Sequence, residues 1–260
     1  MKINIQHKVY TRRTNGLSFL FVLLITFYVI PFSACKDKES PAPVQETGTV
    51  SDNEGNVYET IKIGDQWWTT ENLRATKYRN GDPIQFITED TLWKNSTIGS
   101  YCTFDNIANN INVTGGLYNW YAVNNANSIA PEGWHIPTDA EWKMLEKHLG
   151  MSDFDLEKVN WRGSNEAQKL KSTGQQEWVL YNNILPTNES GFSALAGNCR
   201  MFNGIWGSPL DLRSMGFWWT ATDNPGYDQA WYRYLDSKKT DVFRFYGPKT
   251  YGFSVRCVKD

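Results

Sequence analysis

All 12 tryptophans of this 260-residue chain lie beyond position 66, in company with 13 tyrosines, 13 phenylalanines and 20 glycines. Rings of this size have to be buried against one another, and glycine turns let short segments bring them together. The later part of the chain is therefore a packed, loop-rich aromatic domain. At 40% hydrophobic residues the chain can build a core, which excludes intrinsic disorder. Its 26 basic and 28 acidic groups, net -2, contain no long basic run, which argues against nucleic acid as a partner. Three histidines (His7, His135, His148) and four cysteines are too few for a His-rich metal centre or a disulfide-dense scaffold. No metal or other cofactor is expected, and the composition points to binding rather than catalysis.

The N-terminus reads as an address. Residues 1–16 carry Lys2, Lys8, Arg12 and Arg13 without an acid, and Leu17 to Phe32 is mostly apolar. A basic region, a short apolar run and small residues at the break describe a signal peptide over residues 1–34. The run falls short of the ~20 apolar residues of a spanning helix. Cys35 directly after Ser33-Ala34 is similar to the lipobox of bacterial lipoproteins, with Phe32 where Leu is usual, and this implies lipid attachment at Cys35. The segment Cys35-Lys36-Asp37-Lys38-Glu39-Ser40 resembles the charged surface-export signal of Bacteroidetes lipoproteins. An ordinary signal peptide, or an uncleaved anchor, is the competing reading. Residues 35–47 form a polar, Pro-containing tether to a domain over 48–260. Cleavage before Cys35 leaves 22 basic and 28 acidic groups, net -6. The expected location is the outer membrane, at the cell surface, with the membrane a partner through the acyl chains.

Val57 to Ile63 alternates apolar and polar residues and turns through Gly64-Asp65 into Gln66-Trp67-Trp68-Thr69, a hairpin. Before it, Asp52-Asn53-Glu54-Gly55-Asn56 is acidic, but the calcium-loop pattern fails and a glycine turn between strands is the better account. Leu117 to Val123 reads as a short helix. After Pro137, Thr138-Asp139-Ala140-Glu141 is a capping box, with Trp142, Leu145 and Leu149 on one face and Gly150 as the stop. A weaker helix covers Asn165 to Lys171. Beyond Phe192 the pattern is short strands and turns: Arg200–Phe202 and Ile205–Trp206 about Asn203-Gly204, Trp218–Thr222, Ala230–Leu235, Val242–Phe245 and Phe253–Val258. Early helices and late antiparallel strands make an α+β domain.

Four segments together resemble one family. They are Gly116-Leu117-Tyr118-Asn119-Trp120-Tyr121-Ala122-Val123, the run Ala130-Pro131-Glu132-Gly133-Trp134-His135-Ile136-Pro137-Thr138-Asp139-Ala140-Glu141-Trp142, then Thr187 to Leu195 and Gly252 to Asp260. They are similar in content and order to the Fibrobacter succinogenes major paralogous domain, over roughly residues 50–260. The resemblance implies a secreted protein or lipoprotein, and a C-type lectin-like fold of the formylglycine-generating-enzyme branch. The oxidase relatives use a cysteine pair near the end of the domain. Phe217 to Arg256 contains none, so that chemistry has no residues here.

His135, between Trp134 and Ile136, reads as a buried, hydrogen-bonded core histidine, and His148 faces outward. No Ser-His-Asp set can be assembled. With Cys35 acylated, Cys102, Cys199 and Cys257 allow at most one internal bridge. Cys102–Cys257 is the expected pair, with three free buried thiols as the alternative. The segment Asn203 to Tyr246 alternates rings with amides and charges, as stacking plus directed hydrogen bonding of a sugar or a protein loop requires. The candidate contacts are Trp206, Trp219, Asp223, Asn224, Tyr227, Asp228, Trp231, Arg233, Arg244 and Tyr246, with Tyr232 and Asp211 in the same pattern. The competing account is that half of these rings point inward. The expected function is thus a non-catalytic, lipid-anchored surface module that recognises a glycan or a protein. The alternatives are an enzyme acting on extracellular polysaccharide and a structural envelope protein without a small ligand.

Overall fold

The structure, a computed structural model, describes residues 45–174, 178–182, 184–207 and 213–260. The expected signal peptide, Cys35, nearly all of the tether and Asp211 lie outside the described residues. Strand β1 (Thr47–Ser51) pairs antiparallel with β2 (Val57–Ile63), and β2 with β3 (Gln66–Thr69). The acidic turn between β1 and β2 is closed by Asp52 itself. Its Oδ1 accepts the amides of Glu54 and Asn56 at 3.0 and 2.9 Å, and its Oδ2 accepts Tyr58 Oη at 2.8 Å. Gly55 supplies the positive φ of 83° that this turn needs. The carboxylate is thus committed to the turn backbone and to the Asn56 and Tyr58 side chains, and the turn reading replaces calcium.

Among the described residues twelve strands fall into three sheets. The first runs β1-β2-β3-β12-β7, with β7 at Trp134–His135 and β12 at Val258–Lys259. The second runs β8 (Asn160–Arg162), β11 (Val242–Pro248), β10 (Gln229–Asp236), β9 (Met215–Asn224). The third holds β4 (Gln85–Phe86), β5 (Ser100–Cys102) and β6 (Leu117–Tyr118). Helices are short: α1 (Asp90–Lys94), α2 (Ile111–Thr114), α3 (Trp120–Val123), α4 (Asp139–His148), α5 (Asp153–Leu156) and α6 (Glu166–Leu170). This corrects the expected C-type lectin-like α+β fold. The protein is mostly β, strands open the domain as well as close it, and β12 from the end sits between β3 and β7 from the beginning and middle. Tertiary pairing, not local propensity, fixes that arrangement. No described helix is long and apolar enough to cross a membrane.

The capping box is present. Thr138 Oγ1 accepts the Glu141 amide, and the Glu141 carboxylate accepts the Thr138 amide at 2.7 Å. The helix then buries Trp142, Leu145 and Leu149. Trp142 packs with Trp68 and Phe192 at ring-centroid distances of 5.2 and 5.4 Å. The reading of Leu117–Val123 as one helix needs correction. Leu117 and Tyr118 form β6, and the turn of helix begins only after Asn119, whose side chain caps it by accepting the Ala122 amide.

A buried ion network binds α4 to the second sheet. Asp139 and Glu146, seven residues apart, share one helix face. Asp139 takes Arg233 Nη1 at 2.7 Å and Arg244 Nη2 at 2.7 Å, and Glu146 takes Arg233 Nε at 2.7 Å and Arg162 Nη2 at 2.6 Å. The three arginines come from adjacent strands β8, β11 and β10, so helix and sheet are registered by charge as well as by shape. Burial alone would raise the pKa of Asp139, but the Arg244 and Arg233 guanidinium groups hold it well below the usual carboxylate range.

Candidate ligand-binding site

Strand alternation scatters the expected ligand contacts. Arg233 and Arg244 are buried in the ion network, so neither is free for a ligand. Trp219 is buried on the opposite side of the sheet, its Nε1 donating to Tyr118 O at 2.8 Å. Trp231 and Tyr246 are cross-strand partners that meet edge to face at 5.2 Å, and the Arg244 guanidinium lies 3.8 Å from the centre of the Trp231 ring. Trp206 is elsewhere, packed on Phe104 at 5.3 Å. Tyr232 shares its half-buried sheet face with Phe217, Tyr234, Phe243 and Trp161, a strip whose tightest pair, Phe217 and Tyr234, stacks at 4.4 Å. The choices of Trp219 and Trp231 thus depended on which way the pleat faced.

Asp223, Asn224, Tyr227 and Asp228 do stay together, on the turn from β9 to β10 where Gly226 has a φ of 87°. Tyr227 is exposed at its tip and Asn224 Nδ2 donates across it to Gln229 at 3.4 Å. This turn folds back toward α3. Lys249 Nζ lies 3.1 Å from Asp223 and 3.8 Å from Asp228, and 4.7 Å from the centre of the Trp120 ring. Tyr121 Oη donates to Asp228 Oδ2 at 3.2 Å. Burial and the Asp228 charge both push the Tyr121 phenol up.

Beside this cluster opens a cavity of about 460 Å³, lined by Thr97, Ile98, Gly99, Trp120, Tyr121, Asn124, Asn125 and Ala126. Two loops build it, one entering β5 and one leaving α3, and they are joined by Asn119, whose side chain accepts the Ser100 amide and donates to Ile98 O at 2.8 Å. Trp120 is the floor: it is buried, with Nε1 donating to Thr220 O at 2.9 Å. Gly99 is required, because a Cβ there would stand 1.8 Å from Tyr78 Oη and 3.0 Å from Ala122 Cα. Among the described residues the Thr97 hydroxyl and the side-chain amide of Asn124 form no hydrogen bond. The walls therefore offer an uncommitted hydroxyl and amide, a phenol and, one side chain away, two carboxylates. Thr97, Tyr121, Asn124, Asn125 and Lys249 were missed from sequence. The amide cluster Asn124-Asn125-Ala126-Asn127 directly after a helix was the available signal.

A larger share of the chemistry-bearing groups is structural. His135 is half exposed rather than buried, with Nδ1 2.6 Å from Asp260 Oδ1 and Nε2 2.7 Å from Glu141 Oε1. Carboxylates occupy both ring nitrogens, which leaves neither for a nucleophile. Cys102, Cys199 and Cys257 are free and buried, which corrects the expected Cys102–Cys257 bridge. Burial pushes each thiol up to about 12. No group of three His, Cys, Asp or Glu side chains among the described residues is placed to hold a metal ion.

The Fibrobacter succinogenes major domain matches the chain over residues 61–259, a span that contains the cavity, the β9–β10 turn and the ion network. The family resemblance of the four motif segments is thereby borne out. No curated protein and no solved structure matches the chain.

Proposed function

The chain belongs to the Fibrobacter succinogenes major domain family, and from that premise we propose that it is a lipid-anchored, non-catalytic binding module of the cell envelope that recognises a glycan at the Thr97–Ala126 cavity. The carrying observation is the convergence there of groups far apart in sequence. Uncommitted hydroxyl and amide groups at Thr97 and Asn124 stand beside the Tyr121 phenol and the Asp228 carboxylate. Sugars are recognised through many directed hydrogen bonds to neutral hydroxyls around an aromatic support, and this wall carries both elements. The basic and apolar N-terminus ending in Ser33-Ala34-Cys35 supports export and acylation, and the net charge of -6 left after cleavage suits an exterior domain.

A glycan array probed with the exported chain tests the reading. A hit is expected to weaken by about tenfold in Asp228→Asn, since one hydrogen bond to a charged group contributes ~1.5–3 kcal/mol and ~1.4 kcal/mol is tenfold, and severalfold in Asn124→Ala, where a neutral hydrogen bond contributes ~0.5–1.5 kcal/mol. Binding unchanged in both variants moves the site elsewhere. Turnover of the bound glycan would favour the polysaccharide-acting enzyme. Palmitate incorporation that Cys35→Ala abolishes is the expected outcome for the anchor.

A further inference from the structure

We propose that His135 is a proton-controlled latch that clamps the end of β12 to the cap of α4. Neutral imidazole has one donor and one acceptor, whereas both of its partners here, Glu141 and Asp260, are carboxylates at 2.7 and 2.6 Å. Only the imidazolium can donate to both. Loss of its proton leaves one nitrogen lone pair facing a carboxylate, and that arm must open. The charged groups facing the ring are Glu141 from α4 and Asp260 from the end of β12; Val258, its strand partner, is apolar. Burial by itself would lower the His135 pKa, but the hydrogen bonds to Asp260 and Glu141 and their charges raise it, which agrees with this geometry.

Each arm does a second job. Glu141 is also the capping carboxylate of α4, and the Asp260 amide donates to Gly133 O at 3.1 Å. The first turn of α4 is in turn pinned to the end of β9. The Ala221 amide donates to Pro137 O and the Asp139 amide to Thr222 Oγ1, both at 2.9 Å. Strand β9 then runs into the turn bearing Asp223 and Asp228. Deprotonation thus loosens β12, the helix cap and, through them, the turn beside the cavity. This last consequence rests on the proposed binding function.

The test is made on the full chain from about pH 5.5 to about pH 8.5, either side of the free imidazole value of ~6.5. Ring NMR is expected to place the His135 midpoint above the free imidazole value. Amide-exchange protection factors of Val258–Asp260 are expected to fall several-fold as the pH passes its midpoint. In Asp260→Asn, whose site is exposed, the midpoint drops and the fall shrinks. A His135 midpoint at or below the free value overturns the latch, as does protection in Asp260→Asn that follows the wild type. A glycan bound equally tightly at both ends of the range overturns the coupling to the cavity and leaves binding intact. With no glycan bound at all, the binding function fails while the exchange data still decide the latch.

Discussion

At the scale of single residues, environment overrides chemical identity. Cys102, Cys199 and Cys257 are thiols by composition and small core residues by placement. With their pKa values at about 12, the native chain is expected to leave all three unmodified by a thiol reagent near neutral pH. Denaturant should release three at once, and labelling of any one in the folded chain would contradict their placement. Gly99 makes the opposite point, since its lack of a side chain is the requirement. Gly99→Ala drives a methyl group onto Tyr78 Oη and is expected to lower the melting temperature and close the cavity wall. Sequence alone marked neither. Three free thiols stood open beside a bridge, and a glycine between Ile98 and Ser100 carries no local sign of the tyrosine above it.

At the scale of the element, α4 was legible almost in full. Its cap, its apolar face and its stop are local features that a helix must satisfy within a few residues. Thr138→Ala is expected to cost ~1 kcal/mol, read as a shift in the denaturation midpoint. What sequence did not reveal is the use of Asp139 and Glu146 as inward charges. Arg233→Met, which removes one of the two guanidinium partners of each buried carboxylate, is expected to cost ~3–5 kcal/mol. The pH dependence follows from the Asp139 shift. Its folded pKa lies below the unfolded value of 3.8, so its contribution is complete above that value and is lost as the pH falls. Acid unfolding in Asp139→Asn should accordingly begin from a lower plateau and show a shallower acid limb. A limb as steep as that of the wild type would show that another carboxylate controls it.

At the scale of the molecule, two residues at the end of the chain complete the first sheet. Val258 pairs with Trp68 on one side and His135 on the other. Deletion of residues 258–260 is expected to separate β7 from β3 and remove most of the cooperative melting transition. A deletion variant that melts near the wild-type temperature would place the stability of the domain elsewhere. The sequence by itself determined the family motifs, the hairpin over Val57–Thr69, the capped helix and the extent of β9 through β11 to within a few residues. Each depends on contacts close along the chain or on an unbroken run of residue types. Only the tertiary structure decided the three-sheet architecture, the inward turn of Arg233 and Arg244, and the meeting of Thr97, Tyr121 and Asn124 around one cavity with Asp228 behind Tyr121. Those outcomes depend on pairings over long separations and on which side of a pleat faces the core, and a one-residue change of register inverts the latter while leaving the alternating pattern intact.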